Sequence, residues 1–433
     1  MQFFQELGAL IEGRWRDKNY AEDVFPQIAA DALAETNPNQ HVSPWEIIRW
    51  LNNAPVLPEQ QDVEGRFGNP PITLHVGPRF YIDVYYWMDG TTSTHQHAFC
   101  GAFQVLLGSS IHSRYRFENR QEINAHFATG NITLDTVNLL GEGDVQKIHP
   151  GSQYIHSLFH LDRPSATITV RTRFSPEGSP QYDYQKPYFA IDPFYKSPAM
   201  VKKVQSAALL LSMRHPDADE LIGEALSNSD FQTAFAIIEV AFKHLTNDHL
   251  EKSFGISSGR QRFEAYLDIV RRRHGELAEM ILPVIEESQR QHYIQWRRQQ
   301  ITSNEHRFFL ALLLNVPDRA RLLELVKERF PEANPIQTVA EWFEELANTR
   351  MSGSSERNLL GINEFDEDYL VVFQCLLEGL SVEQISNELG EDSLAMKGHS
   401  SRNRAEKLCD EIRNSMLFKS VFDHALNEIV TYC

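Results

Sequence analysis

The chain has 433 residues and a net charge of −18, with 41 Lys and Arg against 59 Asp and Glu, a balance that repels nucleic acid and anionic lipid overall. Its 42% hydrophobic and 23% charged content is that of an ordinary soluble globular protein, long enough for two or three domains. No run of 18 apolar residues argues for a membrane span. The four cysteines, Cys100, Cys375, Cys409 and Cys433, are far apart, which argues against a disulfide framework or a cysteine zinc site and suits a reducing cytoplasm.

The N-terminal "MQFFQELGALIEG" lacks the basic and apolar pattern of a secretory signal and reads as an amphipathic helix. "AEDVFPQIAADALAET" and "SPWEIIRWLNNA" read as two more helices, the last with Ser43 as N-cap and Pro44 at the first helical position. Seven strand-like runs follow over residues 72–174: "ITLHV", "RFYIDVYYWM", "HAFCGAFQVLL", "SIHSRYRFE", "NITLDTVNLL", "YIHSLFHL" and "SATITVRTRF". They are rich in β-branched and aromatic residues, with Gly, Pro, Asn and Asp between them. Such a series suggests an antiparallel barrel or sandwich.

The Pro-rich stretch 175–198 shows little periodicity and reads as a linker whose aromatic residues pack on a surface. From about Pro198 onward apolar residues recur at three- and four-residue spacing, so the rest of the chain is expected to be helical. The expected division is N-terminal helices over 1–60, a barrel over 61–180, a linker over 181–198, a helical domain over 199–350 and a small helical unit over 359–433. The fold class is α+β, with an all-α C-terminal part.

In "TTSTHQHAFCGAFQVLLGSS", residues 91–110, His95 and His97 are two residues apart. On a strand they share a face, and metal binding by imidazole needs two or three nitrogens converging on one point. His156, in a later strand-like run after Gly143, Pro150 and Gly151, is the best third candidate.

The spacing Gly90, four residues, His95-Gln96-His97, three residues, Gly101, six residues, Gly108 resembles the first motif of the cupin superfamily, small jelly-roll barrels with a metal inside. Gly143, Pro150, His156 and His160 follow the second motif loosely. The resemblance covers about residues 70–175. Gly101 stands where the family's usual metal-binding Glu would be, and His160 where its Asn would be. A three-histidine set without a carboxylate is similar to the thiol dioxygenases, the cysteine dioxygenase-like branch. The resemblance implies a mononuclear non-haem Fe(II) centre at His95, His97 and His156, with another divalent first-row metal as the alternative. It also implies a small thiol or amino-acid-like substrate oxidised by O₂ to a sulfinate. Redox chemistry of this kind favours iron over zinc.

Around this core, His160 is expected to orient a ligand imidazole, with ligation as the alternative. His112 is a lesser candidate for the cavity, and His75 is read as structural. Tyr81, Tyr85 and Tyr115 are candidate pocket hydroxyls, Tyr85 foremost. Arg79, Arg114, Arg116 and Arg171 are candidates to pair a substrate carboxylate, Arg116 foremost, because the guanidinium fork matches it. Cys100 reads as a small buried hydrophobe and Gln104 as packing. Residues 376–408 resemble a helix-turn-helix, with Lys397, Arg402, Arg404 and Lys407 on its second helix, but the chain's acidity weighs against DNA. The rival function is a non-enzymatic small-ligand sensor whose helical half binds a protein partner or DNA; a homodimer is left open.

Overall fold

The computed structural model describes all residues except 66, 247–257, 352–355, 390–400 and 423–433. Helices α1 (Gln2–Arg16), α2 (Phe25–Thr36), α3 (Pro38–His41) and α4 (Pro44–Asn53) come first. Ser43 caps α4 reciprocally with Glu46, as its sequence requires. Along α1, Phe4, Leu7, Ile11 and Trp15 form one stripe. They pack with Phe80, Ile82, Val84, Ile168 and Val170 in a single buried cluster.

Eleven strands follow: β1 (Pro71–Val76), β2 (Phe80–Trp87), β3 (His95–His97), β4 (Gly101–Leu107), β5 (Ser110–Asn124), β6 (Phe127–Leu140), β7 (Val145–Ile148), β8 (Gly151–His160), β9 (Ser165–Thr172), β10 (Asp183–Gln185) and β11 (Phe189–Ile191). One sheet has the order β1-β2-β9-β4-β7, and β10-β11-β6-β5-β8-β3 close into a barrel. All the pairings are antiparallel. The open sheet is two-faced. Phe80, Ile82, Val84 and Tyr86 of β2 belong to the cluster under the N-terminal helices, while Tyr81, Asp83, Tyr85 and Trp87 line a cavity on the other side, the period of two that a strand imposes.

Two sequence expectations change. "HAFCGAFQVLL" is not one strand: β3 pairs with β8 and β10, whereas β4 pairs with β9 and β7, so the chain switches sheets over residues 98–100. The stretch 181–198 is more than a linker, because β10 and β11 lie in it and close the barrel against β3 and β6. Three-residue strands among prolines carry too little alternation to be read from sequence.

The remaining described chain is helical from Pro198 to Phe422, apart from connecting turns. Helices between 198 and 285 pack on Phe127 and Phe189 of the barrel. Helices from Ile281 onward share a cluster with Ile111, Val137, Phe159 and Leu161. Among the described residues no helix is long and apolar enough to cross a membrane. Lys397 and the first half of the expected reading helix lie outside the described residues. In the described half, Ser401–Asn414, Arg402 pairs with Glu406, Arg404 with Asp366 and Asp368, and Lys407 with Glu411.

Candidate metal centre

β3 and β8 lie side by side with His95 directly opposite His156. The register shifts between His95 and His97, and one nitrogen of each of His95, His97 and His156 comes within 4.8 Å of the others. All three residues are buried, none more than 7% exposed. His95 Nδ1 lies 2.8 Å from the Ser93 carbonyl, to which it donates. That leaves its Nε2 as a lone-pair donor, and this atom is buried with no partner. The Nε2 atoms of His97 and His156 are 2.9 Å apart. Two ligands at about 2.1 Å from one metal and at right angles would be about 3.0 Å apart, against about 3.4 Å for a tetrahedron. The spacing thus fits one edge of a facial set; it also fits a hydrogen bond when one nitrogen carries a proton.

Burial holds all three imidazoles below the ordinary histidine range, His97 and His156 well below it. Neighbouring histidine and arginine charges act in the same direction on those two. The neutral imidazole is the state a metal requires.

The orienting partner is His112. Its Nε2 lies 3.1 Å from His156 Nδ1 and 3.1 Å from the Tyr154 hydroxyl. If His156 presents its Nε2 lone pair to the cluster, its Nδ1–H donates to the one lone pair of His112 Nε2, which it shares with the Tyr154 hydroxyl. Burial pushes His112 down to about 3, so it too is a neutral acceptor. The geometry follows from register: His112 faces Leu158, which makes His156 its diagonal neighbour.

His160 does not take that part. It is on the same face of β8 as His156, but four strand residues put them roughly 13 Å apart. Its ring stacks on Trp87, and its Nδ1 meets the hydroxyls of Ser110 and Ser165. Tyr85 does line the cavity, with its hydroxyl donated to Asp83 Oδ2 at 2.9 Å. Arg116 does not. Beyond a register shift at Arg114/Tyr115, β5 continues past the end of its pairing with β8. There Arg116 is half exposed and pairs with Glu118 and Asp135.

Of the four candidate arginines only Arg171 lines the cavity. Arg79 lies over the Tyr20 ring and Arg114 over the Tyr154 ring. Tyr81 lines the cavity. Tyr115 is buried in a separate cluster, near Lys186. His75 bonds to Gln5. Cys100 is buried and Gln104 bonds to Asn37 and the Gly143 carbonyl.

The cavity holds about 560 Å³. Trp87, Phe99, Phe103, Ile148 and Leu158 supply much of its apolar lining, and the histidines form part of its wall. Asp83 was not singled out from sequence, although the alternation of Tyr81, Asp83, Tyr85 and Trp87 along one strand carries the signal.

No protein-family profile matches the chain, and no curated protein does. Among solved structures, the chain has a likeness to the capsular polysaccharide assembling protein CapF from Staphylococcus aureus. It is 19% identical over 28% of this chain and 29% of that one, with a TM-score of 0.18. The chain therefore spans under a third of that protein's length, and so loose a superposition carries no argument.

Proposed function

We propose that the chain is a metal-dependent protein of cupin type, its two sheets the walls of a jelly roll. We read it as a mononuclear non-haem Fe(II) dioxygenase acting on a small thiol or amino-acid-like substrate. The observation that supports this reading is the convergence of His95, His97 and His156 on one buried point at the wall of a 560 Å³ cavity. Bound there, iron would supply the redox steps that O₂ chemistry requires and zinc lacks. The chain's own residues do the rest. Ser93 fixes the tautomer of His95, His112 orients His156, and the aromatic lining keeps bulk water from the open side of the set.

Metal analysis of the purified chain, with oxygen uptake on cysteine, 3-mercaptopropionate and cysteamine, tests the proposal. We expect about one iron per chain, lost in His97→Ala, and oxygen consumption that needs the metal. A wild-type chain that retains no first-row metal, or a His97→Ala chain that retains it all, overturns the reading.

One observation favours the sensor alternative. Arg298 of the helical half donates to the Gly90 carbonyl and the Thr91 hydroxyl, just before the histidine strand, a physical link between cavity and helices. Turnover of a thiol by the isolated protein would weigh against it.

A further inference from the structure

The cavity wall facing the histidines carries two opposite charges that do not meet. Asp83 of β2 sits opposite Thr169, and Arg171 of β9 sits opposite Tyr81. The two are diagonal neighbours on one face, their side-chain roots roughly 7 Å apart. Asp83 is 3% exposed; its Oδ2 accepts the Tyr85 hydroxyl, the Thr73 hydroxyl stands beside its carboxyl from the facing strand, and its Oδ1 lies buried outside any hydrogen bond of good geometry. The Arg171 side chain makes no hydrogen bond or ion pair among the described residues. Its Nε is buried without an acceptor, and its guanidinium carbon lies 3.4 Å from the Phe99 ring centre.

A carboxyl and a guanidinium with open hydrogen-bonding edges are costly to bury unless something completes them. Burial already raises the Asp83 carboxyl above its ordinary range, and a cation beside it would restore the charged form. The other acidic groups on the cavity, Asp62 and Glu64, belong to its mouth. Asp62 accepts from the Phe67 backbone at 2.9 Å, and Glu64 is exposed and partnered.

We infer that the cavity binds a zwitterion of the amino-acid class, with its carboxylate on Arg171, its ammonium on Asp83 and its side chain directed among Trp87, Phe99, Phe103 and the histidines. An α-amino acid separates its charged groups by about 3 Å, so with a charge-assisted hydrogen bond at each end it can bridge an aspartate and a flexible arginine whose roots are diagonal neighbours. The inference rests on reading this cavity as the substrate site and deepens it by naming the charges the substrate carries. It does not require a metal.

The test is calorimetric titration of the metal-free full-length chain with the twenty standard amino acids, then with the N-acetyl and carboxamide derivatives of the tightest binder. We expect at least one amino acid to bind and each capped derivative to bind at least tenfold more weakly. Asp83→Asn should lose discrimination against the N-acetyl form alone, and Arg171→Met discrimination against the carboxamide alone, with melting temperatures reported alongside. The capped ligands interrogate the wild type by itself, so the result stands even where a variant does not fold. Capped forms that bind as well as the free amino acid, or a folded wild type that binds none of the twenty, overturn the inference. Zwitterion binding by a chain that retains no metal would leave this inference intact and remove the oxygenase reading. Metal retention without zwitterion binding would do the reverse.

Discussion

A Cβ on Gly101 would lie 1.9 Å from the Val170 carbonyl oxygen and 2.9 Å from the Arg171 Cα. Both are backbone atoms of β9, so no rotamer change relieves the clash. Gly101→Ala must push β9 away from β4, and overpacking of this kind costs about 3 kcal/mol. Denaturant unfolding at constant slope should report that loss. The same reasoning changes the meaning of the residue. From sequence, Gly101 marks a deleted carboxylate ligand. In the structure the position has no room for any side chain, and the close approach helps seat Arg171 in the cavity wall. What was legible at this scale is chemistry carried by single residues: His95 and His97 stand out by their spacing. A backbone collision between residues 69 apart has no local signature, so its cause could not be read.

The pairing of β5 with β8 decides which histidine supports the cluster. Sequence spacing placed His160 on the right face but could not give the distance along it. His112 reaches His156, 44 residues further along the chain, only because β5 and β8 lie in one particular register. His112→Phe keeps the volume and removes the acceptor from His156. Loss of such an orienting group typically weakens metal binding by 10- to 100-fold. Competition titration with Co²⁺ should show that drop for His112→Phe and no comparable change for His160→Phe. The long alternating strands were legible because β-branched and aromatic residues repeat with period two. β7, β10 and β11 were not, because three or four residues hold too few repeats to stand above composition.

The two halves of the molecule are joined around the turn that leads into β3. Arg298 and Arg307 are almost wholly buried, each 1% exposed. Arg298 donates to the Gly90 carbonyl, the Thr91 hydroxyl and the His160 carbonyl; Arg307 donates to the Leu161 carbonyl and pairs with Asp89. Ile111 and Phe159 of the barrel sit in the same apolar cluster as Phe308, Phe309 and Leu312 of the helices. Arg298→Met leaves two buried carbonyls without this donor, at about 2 kcal/mol after the relief of burying the charge. Calorimetry should then show one unfolding transition for the wild type and two for the variant. The helical periodicity of residues 199–422 was plain in the sequence, but nothing there told which polar residues face inward. A buried arginine and a solvent-facing one look alike until the acceptors are known.

The barrel's closure has a consequence for time rather than affinity. β3 is only three residues long, yet it is flanked by β8 on one side and β10 on the other, with the Gln96 amide bonded to the Tyr182 carbonyl and the Tyr184 amide to the Thr94 carbonyl. A strand with no free edge does not fray alone; it opens with the ring that contains it. The histidines of β3 are therefore held in place until that ring opens, and one of the shortest strands among the described residues becomes one of the slowest to let go.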